Sequence, residues 1–284
     1  MTIIQNVVYS WTHYSFIRYA LIGVLLFAPM VGALGTLVVN GQLAFFSDSL
    51  GHSALTGIAL GLMLGLKTPL WAMLAFGVVF AAGLCMVKSR GATSTDTTIG
   101  VFSSTAMALG VVLLSLRGEF AKYSNYLVGD LLSIAPWDLP PLGAALIFTV
   151  IYCVLRYNKL LMLNANPALA KSRGVAVRVV ETGFACVLAL VVMLSIRWVG
   201  ILMINAMLVI PAACARNLAR DTRGYVIGAV TLALVCGTVG LALSLVIGTA
   251  AGATIVLLLA ACYAASLVVG RRGNPLCRCG GISP

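Results

Sequence analysis

The sequence NGQLAFFSDSLGHSALTGIALGLML, residues 40–64, decides the fold class, because it places an acid and a histidine inside an apolar stretch long enough to span a membrane. Asp48 and His52 are four residues apart, so on a helix their side chains lie on one face, one turn from each other. A charged residue at the centre of a membrane helix costs about 3 kcal/mol and usually has a functional role. The spacing therefore predicts that Asp48 and His52 are a pair of metal ligands. The alternative is that they only pair with each other, or lie at a water-filled helix end.

The composition places the chain among all-α polytopic membrane proteins. Of its 284 residues, 61% are hydrophobic and 9% are charged, whereas soluble domains have about a quarter charged residues. This length accommodates roughly eight to ten spans of about 20 residues and leaves no room for a separate soluble domain. We therefore expect no enzyme activity and no permanently bound cofactor, and any nucleotide-binding domain must belong to another chain. The net charge of +11 lies in short clusters between apolar runs, which indicates membrane topology rather than a nucleic-acid partner.

Nine apolar runs predict nine transmembrane helices, or eight if the sixth and seventh runs form one helix. The first run covers about 17–39, the second ends near 65, and the others cover about 70–87, 99–116, 139–155, 182–195, 199–215, 225–247 and 253–269. With the N-terminus outside, the main basic clusters all face the cytoplasm, as the positive-inside rule expects. Residues 1–16 are expected to lie along the membrane interface, residues 17–270 to form the transmembrane domain, and residues 271–284 to form a cytoplasmic tail. The tail contains Cys277 and Cys279, for which a solvated tail is favoured over a zinc site.

A weak internal similarity relates the two halves of the chain. Residues 35–43, GTLVVNGQL, match residues 200–208, GILMINAML, with Asn40 aligned to Asn205. Under the nine-span topology the two copies run in opposite directions, which predicts an inverted repeat, although apolar sequences also match by chance. Asn40 and Asn205 are candidates for the pathway or for hydrogen bonds that orient metal ligands. Their alternative role is amide hydrogen bonding between helices, which we favour.

The chain resembles the permease subunit of the zinc, manganese and iron class of ATP-driven importers, the ABC-3 family. The resemblance covers most of residues 17–270 and is carried by LAFFSDSLGHSALTGIALGLMLG (43–65), TTIGVFSSTAMALGVVLLSL (97–116), NYLVGDLLSI (125–134), WVGILMINAMLVIPAACARNLARD (198–221) and GATIVLLLA (252–260). Two positions depart from the usual family pattern: Ser47 stands where glycine commonly precedes the aspartate, and Gly51 where serine commonly precedes the histidine. Neither departure removes a ligand, but both alter local packing and leave the metal preference open.

The resemblance implies a permease like those of type II ABC importers, in the inner membrane of a bacterium. It implies a second permease copy, identical or closely similar, two ATP-binding cassette ATPase subunits, and an extracytoplasmic metal-binding protein. The transported ion would be Mn²⁺, Zn²⁺ or Fe²⁺. A two-fold axis beside the second span would bring two copies of Asp48 and His52 together. Asp130, in the outer connection, is a candidate to receive the metal, and a plain helix-end role is its alternative.

The basic segment 156–181 resembles the cytoplasmic coupling helix of this family. The sequence NANPALAKSRG predicts a helix that starts at Asn166 with Pro167 in its first turn and ends at Gly174, with Lys171 and Arg173 as its charges. Such a helix would dock on an ATPase subunit. A surface helix attracted to anionic membrane lipid would use the same charges.

Two other classes of function are weighed against the importer permease. An ion- or proton-coupled secondary metal transporter would use Asp48 and His52 as a proton relay, but the other six acids lie in predicted loops or at helix ends. An intramembrane metalloenzyme would need a third ligand motif such as H-E-x-x-H, which the sequence lacks. The importer permease is therefore the favoured interpretation.

Overall fold

The computed structural model describes residues 15–66, 68–88, 94–123, 126 and 129–270, and these residues contain helices but no strand. Two 3₁₀ turns, Leu131–Ser133 and Pro136–Asp138, precede the sixth helix. The helices are α1 (Ser15–Asn40), α2 (Ala44–Met63), α3 (Leu70–Lys88), α4 (Thr95–Leu116), α5 (Phe120–Tyr123), α6 (Leu139–Ala165), α7 (Pro167–Ser172), α8 (Val177–Val199), α9 (Ile201–Leu218), α10 (Thr222–Ile247) and α11 (Ala251–Gly270). The expected all-α membrane fold is confirmed. The expected interfacial segment, apart from its last two residues, and the tail with Cys277 and Cys279 lie outside the described residues.

Among the described residues, eight helices are long and apolar enough to cross a membrane. Of the other three, α5 and α7 are too short, and α2 is long enough but Asp48, His52 and its serines lower its hydropathy. The sixth and seventh runs are separate helices, α8 and α9, joined by Gly200. The count of eight apolar helices therefore does not come from a fusion of the sixth and seventh runs into one helix, which was the alternative considered above.

Most helix ends lie within a few residues of the predicted spans, and α6 differs most. It continues to Ala165, ten residues beyond the predicted end of the fifth span at 155. The apolar run stops at Arg156, but the following residues are mostly good helix formers, so the helix continues where the hydropathy signal ends.

The contacts between residues divide the chain into two compact units. One unit comprises Asn40–Gly129 and Ile151–Asn205. In this unit α2 packs against α3, α4 and α8. Small residues permit this close packing: a Cβ on Gly110 of α4 would lie 2.7 Å from the backbone nitrogen of Thr56. The Thr56 hydroxyl donates a hydrogen bond to the carbonyl of Ala106 across the same contact. As a result α2 is largely enclosed by its neighbours, as close packing of small residues in membrane helices allows.

The second unit comprises the described parts of Met1–Val39, Asp130–Val150 and Ala206–Pro284. A buried cluster joins α9 and α10 through Ala212, Ala215, Tyr225 and Ala229. The Tyr225 hydroxyl donates to the backbone carbonyl of Thr36 on α1, at 3.3 Å. This bond satisfies the one polar atom of an otherwise apolar contact.

Replacing Gly110 with alanine should destabilise the protein, because the new methyl group would overlap the backbone of α2. Overpacking of this kind costs about 1–3 kcal/mol. Gly100, on the same helix, is the matched control, since nothing lies within 4 Å of a Cβ at that position. We expect a lower thermal midpoint for G110A in detergent than for G100A, measured by the monodisperse fraction that remains after heating. Equal midpoints for the two variants would contradict the tight α2–α4 contact.

Candidate functional site

Asp48 and His52 lie on one face of α2, as their spacing predicts. Asp48 Oδ2 is 3.6 Å from His52 Nε2, and the side chains are 49% and 31% exposed, respectively. This distance is too long for a good hydrogen bond, so the two groups attract each other without satisfying each other. This arrangement fits both the predicted ligand pair and its alternative, mutual pairing.

Asn205, near the start of α9, makes a hydrogen bond to one member of the pair. Its Nδ2 donates a hydrogen bond to Asp48 Oδ1 at 2.5 Å. This fits the predicted role of Asn205 in orienting Asp48, and it is also an amide bond between helices, which was the alternative. The aligned residue Asn40 has a different setting.

Two buried atoms of the cluster have no hydrogen-bond partner among the described residues. They are His52 Nδ1 and Asn205 Oδ1. An imidazole nitrogen and an amide oxygen are both metal ligands, and leaving either buried and unpaired costs about 1–3 kcal/mol. Among the described residues, no group of three or more His, Cys, Asp and Glu could hold a metal ion. The described part of one chain therefore offers one carboxylate, one imidazole and one amide, which is an incomplete ligand set.

The two departures from the family pattern affect packing more than chemistry. Ser47 is fully buried, and its hydroxyl donates to the Ala44 carbonyl at 2.8 Å, so it is satisfied within α2. Gly51 faces the start of α9: a Cβ there would lie 2.8 Å from Ile201 Cγ2 and 3.6 Å from Asn205 Nδ2. The absence of a side chain at Gly51 thus lets α9 approach α2 closely.

Asn40 lines a cavity of about 440 Å³ at the start of α2. The wall of this cavity includes Lys88, at the end of α3, and Glu181, near the start of α8, which form an ion pair with a distance of 2.5 Å between Nζ and Oε1. Sequence reasoning missed this pair, because the two residues are 93 positions apart. The sequence feature that could have indicated this ion pair is that both charges lie at the ends of predicted spans on the same side of the membrane.

Asp130 caps the 3₁₀ turn Leu131–Ser133. Its Oδ1 accepts a hydrogen bond from the backbone nitrogen of Leu132 at 3.0 Å, at the start of the Leu131–Ser133 turn. This is the contact that the alternative, a helix-end role, predicts for Asp130, and the proposed role in receiving the metal stays a prediction.

The predicted helix in the basic segment is confirmed as α7. The Asn166 side chain accepts from the backbone nitrogens of Ala168 and Leu169, and Pro167 occupies the first turn. Gly174, with φ of 75°, follows the helix in the left-handed conformation that glycine adopts most easily. Lys171 and Arg173 are both exposed.

The model of the ABC 3 transport family matches residues 13–270. The chain is 33% identical over 249 residues to the high-affinity zinc uptake system membrane protein ZnuB of Haemophilus influenzae, covering 87% of this chain and 95% of that protein. It is 28% identical over 244 residues to the manganese transport system membrane protein MntC of Listeria monocytogenes, covering 86% and 87%, respectively. A chain of PsaBC from Streptococcus pneumoniae in complex with Fab superposes with a TM-score of 0.83 at 25% identity, covering 93% of this chain and 95% of that one.

Gly51 and Ile201 should show non-additive effects on stability. Alanine at position 51 should be destabilising while isoleucine occupies position 201, because the added methyl group meets its Cγ2. The same change should cost less in an Ile201→Ala background, which removes that atom. We expect a coupling of about 0.5–3 kcal/mol from thermal unfolding of the four proteins in detergent. Additive effects would show that the close approach of α9 to α2 does not depend on Gly51.

Proposed function

Because this chain belongs to the ABC 3 transport family, we propose that Asp48, His52 and Asn205 form a transient binding site for a divalent metal ion during import. The chain is a multi-pass permease subunit of an ABC metal importer in a bacterial inner membrane. The observation that carries the proposed site is the pair of buried, unpartnered ligand atoms, His52 Nδ1 and Asn205 Oδ1, beside the Asp48 carboxylate.

The donor atoms indicate which ions the site accepts. Carboxylate, imidazole and amide groups are oxygen and nitrogen donors of the kind that bind Mn²⁺, Fe²⁺ and Zn²⁺. The set contains no thiolate, so it does not favour zinc over manganese. The two relatives compared above are named for zinc and manganese transport. We infer that the cargo is one of these divalent transition-metal ions, and that the site alone does not choose between them.

We propose that a second permease copy, identical or closely similar, completes the site. Thirteen of the 20 residues of α2 are buried. Asp48 and His52, together with Phe45 one turn before, form an exposed stripe on this otherwise enclosed helix. Two such stripes facing each other across a two-fold axis would supply two carboxylates and two imidazoles. The two negative charges would balance one divalent cation.

The small number of protein contacts within the site suits an importer, which must release its cargo. A cation that binds here displaces no strong protein contact, because His52 Nδ1 and Asn205 Oδ1 have no partner among the described residues and the contact between Asp48 and His52 is 3.6 Å long. The hydrogen bond from Asn205 keeps the carboxylate oriented. Favourable binding with few protein ligands allows entry and exit.

ATP hydrolysis belongs to partner subunits in this proposal, and α7 is the element that contacts them. The helix carries the exposed charges Lys171 and Arg173. Beside it lies an open cavity of about 650 Å³, lined by Pro167, Ala168, Lys171 and residues 175–179. An exposed, capped helix with a cavity next to it is suited to docking against another protein, and α8 begins three residues after Gly174. A rigid-body movement of the ATPase would therefore reach α8 directly.

Removing either ionisable ligand should abolish most metal uptake. In proteoliposomes that contain the complete transporter with its ATPase and binding protein, D48N and H52Q should each lower uptake of radiolabelled manganese or zinc by at least about tenfold. N205A should cause a smaller loss, because it removes the hydrogen bond that positions Asp48.

The matched control is D96N, which neutralises an exposed carboxylate in the first turn of α4. It should transport at the wild-type rate. Undiminished uptake by both D48N and H52Q, with intact assembly, would refute the proposed site.

Charge reversal on α7 should uncouple the permease from its ATPase. The double variant K171E/R173E should co-purify less cognate ATPase and should lower transport-linked ATP hydrolysis several-fold, because two exposed cations become anions. K159E is the control, since Lys159 is an exposed cation of the same basic segment but lies on α6. Normal coupling in the double variant would assign Lys171 and Arg173 to lipid contact instead.

A further inference from the structure

We propose that Lys88 and Glu181 are positioning residues whose ion pair transmits movement of α8 to α3, and through α3 to α2, the helix of the proposed metal site. Lys88 is the last residue of α3, and its Nζ lies 2.5 Å from Oε1 of Glu181, in the second turn of α8. Both residues belong to the same compact unit. The inference rests on the proposed docking of an ATPase at α7, and it names the contact that carries the movement onward.

The connection from α7 to α8 is short and hydrogen-bonded. The backbone nitrogen of Gly174 donates to the carbonyl of Lys171 at 3.1 Å. The backbone nitrogen of Val175 donates to the carbonyl of Ala170, also at 3.1 Å. Bonds of this kind fix the direction in which the chain leaves a helix. A displacement of α7 therefore moves the first turns of α8, where Glu181 lies.

A cavity interrupts the packing at the start of α8. Its volume is about 440 Å³, and its wall includes the connection between α1 and α2, residues 40–43, and Val177 of α8. Side chains that face a cavity lose van der Waals contacts on that side. Lys88 and Glu181 lie on the same wall, and each side chain is only 33% exposed, so solvent screens their attraction incompletely. The ion pair thus supplies a contact between α3 and α8 at the level where packing is interrupted.

Glu181 also faces a junction of three helices. It lines a small void of about 10 Å³ together with Phe46 of α2 and Leu84 of α3. Both of these side chains are buried. A void of this size is at the limit for one water molecule, so the helices are in close contact here. Because Phe46 lies two residues before Asp48, this junction is within one turn of the proposed metal site.

Farther along α3, glycines of α2 bring the two helices into direct contact. A Cβ on Gly57 of α2 would lie 2.8 Å from Met73 Cα. A Cβ on Gly61 would lie 2.8 Å from the Cβ of Ala72. Small residues at such an interface place the backbones against each other and leave little room for sliding. A displacement of α3 at Lys88 therefore moves α2 as well.

The test measures how many radiolabelled manganese or zinc ions are transported per ATP hydrolysed, in proteoliposomes that contain the complete transporter. K88E and E181K each place two like charges together, so each should lower this ratio several-fold while the ATPase still co-purifies. The exchange variant K88E/E181K restores an opposite pair and should recover most of the ratio. D96K and K159E, which reverse exposed charges on α4 and α6, are the matched controls and should keep the wild-type ratio.

Because charge reversal also disturbs folding in some proteins, K88M and K88R provide a second comparison. K88M removes the charge without adding repulsion and should lower the ratio, whereas K88R keeps the ion pair and should not. A purely structural role would instead lower the thermal midpoint and leave the ratio unchanged in the protein that remains folded. A wild-type ratio in K88M, or no recovery in the exchange variant relative to K88E and E181K, would overturn the proposal.

The outcome is distinguishable from a failure of the functions proposed above. If the metal site were wrong, D48N and H52Q would transport normally, whatever the ratio in the Lys88 variants. If the docking at α7 were wrong, K171E/R173E would retain the ATPase and normal coupling. Loss of coupling in K88M with the ATPase still bound is the result that only the ion pair predicts.

Discussion

A carboxylate on an enclosed membrane helix needs a hydrogen-bond donor, and Asn205 meets that need for Asp48. The bond joins α9 to α2 across 157 residues of sequence. It requires close approach of the two helices, which the missing side chain at Gly51 permits. The same approach leaves His52 Nδ1 and Asn205 Oδ1 buried without partners among the described residues. Packing thus satisfies one oxygen of Asp48 and leaves ligand atoms available beside it.

The sequence predicted most of the fold and the helix face on which the candidate site lies. Long apolar runs predicted the helices, since the hydropathy of a membrane span depends on local composition. The i, i+4 spacing predicted that Asp48 and His52 lie on one face. The cap at Asn166 followed from local chemistry in the same way. The contact between Asp48 and Asn205 did not follow, because it depends on which helices are neighbours. A single sequence suggested a role for Asn205 but gave no reason to treat it differently from Asn40.

Hydropathy also failed to identify the helix that carries the candidate site. The helix α2 is the long helix that falls outside the eight apolar spans of the described chain, although it is the one most enclosed by its neighbours in its unit. Its serines and threonine bond to carbonyls, so it is buried by protein rather than by lipid.

The corner between α8 and α9 consists of one residue, Gly200, with φ of 79°. A Cβ on Gly129 would overlap the backbone at Val199 and Gly200, so this corner is also pressed against the chain that follows α5. A connection of one residue cannot lengthen, so α8 cannot shift without moving the start of α9. A rotation of α8 about its axis would therefore also move Asn205. The hydrogen bond from Asn205 to Asp48 would then depend on the position of α8, which begins beside α7.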